Sequence, residues 1–387
     1  MNAAGNVSDF NPIWEDALIR MRRRIDETLR LSLDGYPHYA DTNTGQWVTS
    51  PDGFWTGGFW LGELWLAGYY WNDPAYSRAA EEGLRKLAPR IHSKSVFRGF
   101  LFYYGAVLGA QLLNNGPAYE FALQSGQVLA KAFNSTVGLI PLGVEAEEAH
   151  KVGDNESNID GIIASPLLLW TANVSQNEGL RRVALAHAYK TAEFCVKSDG
   201  SVIQSASFDL MTGRVVRRYT HKGSSPSAIW TRAQAWAMLG FSLSSMLTPG
   251  EPRLLAIAEH TADWWISNVP QDLVAYWDFS VEKTVNTKRD TSGTAIAAAA
   301  LLKLSAIHPD RAKAEHYANF ARDTVMALLR THLTPTTSAD TRPAGILADG
   351  CFDPNNNVAP ANELIWGDYF LFEALGVLSG RLNSNSL

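Results

Sequence analysis

Two neighbouring stretches decide the reading of this chain: TSGTAIAAAALLKLSA at 291–306 and RAKAEHYANFARDTVMALLRTH at 311–332. The first is apolar almost all the way round at helical spacing, as a helix buried on every side must be. The second carries its charge on one face and so lines a surface. A buried helix joined closely to a surface helix is one hairpin of a two-layered ring. The alternation recurs outward from this pair. RGFLFYYGAVLGAQLLN at 98–114 and IDGIIASPLLLWTANV at 159–174 are apolar throughout, whereas PAYSRAAEEGLRKLAPR at 74–90 is charged on one side. Periodicity predicts helices near 13–33, 57–71, 74–90, 98–114, 116–134, 159–174, 178–197, 229–247, 250–268, 291–306, 311–332 and 363–379. Inner and outer helices alternating about six times describe an all-α fold, an (α/α)6 barrel of six hairpins with a cleft at one face. No Pro/Gly/Ser-rich linker or long charge run divides the chain, so residues 1–387 read as a single domain.

The longer connections, 34–56, 135–158, 198–228, 269–290 and 333–362, hold many of the Gly, Asn, Asp and Trp residues and are the places to look for chemistry. Within them, GSVIQSASFDLMTGRVVRRY at 200–219 alternates apolar and polar residues around Met211-Thr212-Gly213, the pattern of a β-hairpin decorating the cleft.

Composition narrows the function. Hydrophobic residues make up 46% of the 387-residue chain and charged residues 19%, so a large core is available. A net charge of -6 provides no basic field for nucleic acid or an anionic membrane surface. Cys195 and Cys351 are too few for a disulfide framework and too far apart in sequence for a zinc motif. The opening MNAAGNVSDFNPIWED has no signal-peptide pattern, and a cytoplasmic protein, monomer or homodimer, is expected. The 13 Trp, several beside Gly as in GFWTGGFW, favour a carbohydrate ligand, because flat rings stack on the C–H faces of sugars.

HExxH, CxxC, GxxxxGK[ST], a strand-borne GxGxxG and GxSxG are all absent, so no metal or cofactor is expected and carboxylates remain as acid/base candidates. Asp160 follows the polar loop VGDNESNI and opens an uncharged run, GIIASPLLLWTA. Desolvation there would raise its pKa and suit it to acid/base work, whereas service as a helix cap would lower it. Asp290 in KRDTSGTAIAAAALL reads as an N-cap paired with Arg289 or as a second acid, and Asp368 in IWGDYFLFEAL is open in the same way. Arg232 and Trp236 in IWTRAQAWAMLG share a helix face, offering a guanidinium for a carboxylate and a ring for stacking; the alternative is a buried Arg paired with an acid.

Taken together, GFWTGGFWLGELWL, RGFLFYYGAVLGA, NIDGIIASPLLLWTA, HKGSSPSAIWTRAQAWAMLGFS, YWDF, RDTSGTAIAAAALLKLS and IWGDYFLFEAL resemble the unsaturated glucuronyl hydrolases and the related unsaturated rhamnogalacturonyl hydrolases, in family order over 50–380. The resemblance implies a six-hairpin barrel and a substrate oligosaccharide, left by a polysaccharide lyase, that ends in a uronic acid with a C4=C5 double bond. Hydration of that bond, without metal or organic cofactor, releases the neighbouring sugar. The family's acid/base aspartate falls on Asp160, its substrate-facing arginine and tryptophan on Arg232 and Trp236, and the tryptophan that precedes its GFW segment on Trp55.

Three positions depart from the pattern. The family's second aspartate falls on Phe97 in VFRGF, a histidine on Gln204, and the glutamine of an HQG on Lys222. With Arg98 and Lys222 present and a carboxylate lost, the expectation is a more positive pocket that binds an additional anionic group, a different sugar or a different linkage. Gln204, Lys222 and Arg98 therefore join Trp55, Arg232 and Trp236 as candidate substrate-binding residues. Glu145, Glu147, Glu148 and Glu156 precede Asp160 in a loop, and sequence does not say whether one of them reaches the cleft. Two further readings stay open: a barrel glycosidase or hydratase for another sugar acid, and a carbohydrate-binding relative without turnover.

Overall fold

A ring of six helices, buried nearly all round, occupies the centre: Gly57–Trp71, the run Arg98–Phe102, Tyr103–Val107 and Leu108–Leu113, then Ala164–Ser175, Thr231–Met246, Thr291–Ile307 and Ile365–Leu378. Each packs on the next and the last returns to the first, closing the ring. Six amphipathic helices surround it: Pro12–Arg30, Pro74–Leu87, Gly116–Ala130, Glu178–Cys195, Pro252–Asn268 and Arg311–Thr331. This computed structural model describes residues 11–334 and 345–387. The N-terminal stretch MNAAGNVSDF and residues 335–344 of the 333–362 connection lie outside the described residues. Among the described residues no helix is long and apolar enough to cross a membrane.

All twelve expected helices are present, with one internal surprise. The 98–114 stretch contains a π-helical turn at Tyr103–Val107, an insertion that periodicity does not register. Beside it, a Cβ on Gly58 would lie 2.5 Å from the carbonyl oxygen of Phe100, so only glycine permits this approach of two inner helices.

The two layers begin differently. Asn11, Asp73, Asn115, Asn177 and Asp310 cap outer helices by accepting first-turn backbone N–H bonds. The inner helices starting at Gly57, Arg98, Thr231 and Ile365 have no side-chain cap. Their N-terminal ends present the positive end of the helix dipole and favour negative charge.

Small sheets sit at that same end. The expected hairpin forms from Ser205–Phe208 and Val215–Tyr219, turning through Gly213 at φ +71°. A third strand, Glu156–Asn158, which periodicity missed, pairs with it so that Asn158 faces Ser205. The ladder continues with the Ile159 N–H donating to the Gln204 carbonyl at 2.8 Å, which sets residue 160 beside residue 204. A second hairpin, Tyr36–Ala40 with Trp47–Ser50, also escaped the sequence reading.

Candidate active site

Asn158 decides what Asp160 does. The Asn158 side chain is the cap of the 3-10 turn Ile159–Ile163, accepting from Gly161 N at 3.2 Å, so the carboxyl of Asp160 is not used as a cap. It is 7% exposed. Among the described residues the hydrogen-bond donor to Asp160 is Gln204 Nε2, at 3.4 Å from Oδ2. Burial, helped by the nearby charge of Glu148, raises its pKa to about 6 against the opposing pull of Lys222, His221 and Arg232.

Glu148 is the acid that the sequence could not place. Its Oε2 accepts from Asn158 Nδ2 at 2.8 Å and lies 3.1 Å from His221 Nε2, while Oε1 pairs with Lys222 Nζ. Burial opposes its ionisation, but Lys222 and His221 overcome this and hold its pKa well below the carboxylate range. An ionised Glu148 only accepts, so His221 presents Nε2–H to it, leaving Nδ1 for the Ser205 hydroxyl at 2.9 Å. The other three loop acids are engaged elsewhere: Glu145 accepts from Lys94 N, Glu147 pairs with Arg90, and Glu156 accepts from Tyr219.

Arg232 enters from the Thr231–Met246 helix and is 1% exposed. Nη1 pairs with Asp290 Oδ2 at 2.8 Å and also donates to the Cys351 carbonyl, and Nη2 donates to the Phe352 carbonyl. Its guanidinium lies 4.4 Å from the Trp230 ring centroid. Asp290 thus both caps its helix, through Gly293 N and the Ser292 hydroxyl, and binds Arg232; Arg289 pairs with Asp272 instead. Lys222 Nζ lies 5.1 Å from the Phe352 ring and 5.6 Å from Trp230.

Trp55 stands in an aromatic wall with Trp366 at 4.8 Å and Phe352 at 6.4 Å between centroids. His38, also buried there, bonds Thr56 through Nδ1 at 3.1 Å, and burial, then Lys222 and Arg232, lower its pKa to about 3, keeping the ring neutral. Trp236 packs behind Trp55, against Phe100 at 4.8 Å and Phe370 at 5.8 Å.

The structure therefore gathers Asp160, Gln204, Lys222 and Arg232 at the N-terminal end of the inner ring, with Trp55 in the wall and Trp236 one layer behind. It does not bring Arg98 to them. The Arg98 guanidinium turns to the carbonyls of Ser95 and Ile91 and lines a different cavity of about 410 Å³ with His92, Lys94 and Lys131. Nor is the expected excess of positive charge present, because Glu148 neutralises Lys222. Asp368 is apart as well: it accepts from the backbone of Ile346 and Leu347 at 2.9 and 2.7 Å, and burial raises its pKa to about 8. His38 and Phe352 were missed by sequence reasoning, Glu148 was one of four loop acids it left open, and His221 lay inside the quoted HKG without being singled out.

A closed double ring of helices with a buried acid, fixed cations and an aromatic wall at one end defines an (α/α)-barrel glycoside hydrolase. Solved structures agree: a variant UGL with dGlcA-Glc-Rha-Glc superposes with a TM-score of 0.87 at 30% identity, covering 94% of this chain and 96% of that one. The unsaturated glucuronyl hydrolase of Bacillus sp. GL1 superposes at 0.85 with 29% identity and the same coverage. In sequence, an unsaturated glucuronyl hydrolase of Bacillus sp. strain GL1 is 30% identical over 377 residues, 94% of this chain and 96% of the relative. An unsaturated chondroitin disaccharide hydrolase of Streptococcus pyogenes serotype M1 is 27% identical over 342 residues, 87% and 82% of the two chains. No family model matches. The chain belongs to the unsaturated glucuronyl hydrolase family.

Proposed function

We propose that this enzyme releases a terminal 4,5-unsaturated uronic acid from lyase-generated oligosaccharides by hydrating the C4=C5 bond, with Asp160 as general acid and then base. The observation that carries this reading is a buried carboxyl that is not a cap, has a pKa raised to about 6, and is oriented by one amide donor. The double bond of such a sugar is a vinyl ether through the ring oxygen. A proton from Asp160 to C4 leaves positive charge on C5 and that oxygen. Water then bonds to C5 and returns its proton to Asp160. The resulting hemiketal opens at its ring C5–O bond, and the exposed hemiacetal at C1 releases the neighbouring sugar. One water is consumed and the carboxyl is restored. Uncapped inner-helix ends favour the substrate's carboxylate, and Trp55 offers a ring face beside it.

We place this chemistry in a single catalytic unit spanning the chain. A cytoplasmic location is part of the proposal, supported by two buried free cysteines.

The test is to incubate the protein with lyase-generated disaccharides and with their saturated counterparts. Loss of the enol-ether absorbance together with release of the reducing sugar is expected only for the unsaturated set. Cleavage of the saturated glycosides with the unsaturated ones untouched would overturn the proposal.

A further inference from the structure

The acid at position 160 does not stand alone, although the residue that the sequence pattern would make its companion is Phe97. That side chain is 3% exposed and packs against Phe100, with ring centroids 6.2 Å apart. A carboxylate reaches the site from another direction, on the loop that leads into the Glu156–Asn158 strand. Glu148 bonds Asn158, the residue that caps the turn carrying Asp160, and it bonds both His221 and Lys222. His221 Nε2 in turn lies 3.5 Å from Gln204 Nε2, the atom that contacts Asp160.

We infer that Glu148 is the second carboxylate of this active site: a positioning residue that fixes Lys222 and His221 beside Asp160 and supplies the nearby negative charge that Asp160 needs to keep its proton. The inference rests on the reading of Asp160 as the proton donor. Three observations support the role. Every donor around Glu148 belongs to a residue that adjoins Asp160 or Gln204 in sequence or in space. Lys222 occurs together with Glu148, so the charge gained at 222 is balanced by the charge at 148. Finally, Glu148 sits outside the inner ring, at the start of the short turn Ala149–Val152, and its side-chain bonds go to Asn158, His221 and Lys222.

Titratable and charged groups face Asp160 from several elements: Glu148 from the loop, His221 and Lys222 after the hairpin, Arg232 from the Thr231–Met246 helix, and the neutral Cys195 thiol from the Glu178–Cys195 helix. Of these, Glu148 is the carboxylate that opposes ionisation of Asp160, whereas the cations promote it. Removing the Glu148 charge and unpairing Lys222 therefore act in the same direction. Both make Asp160 a stronger acid, so the protonated form is lost at lower pH.

The experiment is the pH profile of kcat/KM on an unsaturated disaccharide for wild type, Glu148→Gln, Glu148→Ala and Glu148→Asp. The alkaline limb is expected to move down by about one pH unit in Glu148→Gln and Glu148→Ala, and to stay close to wild type in Glu148→Asp, which retains the charge. A purely structural role would lower activity at every pH without moving the limb. If Glu148→Gln and Glu148→Ala fold and keep the wild-type limb, the inference is overturned while the role of Asp160 stands. If Asp160→Asn, measured alongside, retains wild-type activity, the underlying reading fails first.

Discussion

Gln204 is oriented by Lys222 so that it can serve Asp160. The backbone N–H of Lys222 donates to Gln204 Oε1 at 3.0 Å, which fixes the amide and turns its NH2 group to Asp160 Oδ2 at 3.4 Å. The hydrogen bond on Oδ2 leaves Oδ1 as the oxygen that carries the mobile proton.

Replacing that amide should cost activity and not the fold. In Gln204→Leu, Asp160 loses its donor and the Lys222 N–H loses its acceptor, so kcat/KM is expected to fall about tenfold. Gln204→Met, closer in shape, should show the same loss. Initial rates on an unsaturated disaccharide, with thermal unfolding as the control, check this.

The raised pKa of Asp160 has two consequences of known sign. As the proton donor, Asp160 is competent while protonated, so kcat/KM should decline as pH rises through about 6. Because the folded protein holds this proton more tightly than the unfolded chain, the stability it contributes is fully present below the ordinary value of 3.8 and is lost as pH rises through about 6. Asp160→Asn removes the titration, so its melting temperature should drop less than that of wild type between about pH 4 and pH 7. Parallel melting curves across that range test the sign.

Arg232 should behave mainly as part of the frame. With its guanidinium 1% exposed and paired to Asp290 at 2.8 Å, Arg232→Met leaves a buried carboxylate uncompensated, a loss of about 3–5 kcal/mol. Arg232→Lys keeps the charge but cannot span Asp290 and two carbonyls, so it should also destabilise. Chemical denaturation measures both. A variant with unchanged stability and only a raised KM would assign Arg232 to direct substrate binding instead.

The barrel was legible because burial on all sides leaves a mark in the sequence. A helix such as 291–306 carries one charged residue, Lys303, and its outer partner at 311–332 has a charged stripe. The π turn at Tyr103–Val107 left no mark, since its residues are as apolar as those of a regular helix. Asp160 was ambiguous for a specific reason: Asn158 has the same preference for a helix start, and only coordinates show which of the two takes the cap. Arg98 looked close to Lys222 when motifs were aligned, but its backbone places it facing Ser95 and Ile91. Glu148 was one of four loop acids, and no spacing rule singles out the one whose loop folds inward.

The central claim is that Asp160 delivers the proton to carbon. The most direct measurement is the rate of enol-ether absorbance loss for Asp160→Asn beside wild type at about pH 6, on the same lyase-generated disaccharide and with matched melting temperatures. The account predicts a decline of about a thousandfold. A rate within about tenfold of wild type would contradict it, because an amide has no acidic proton to give.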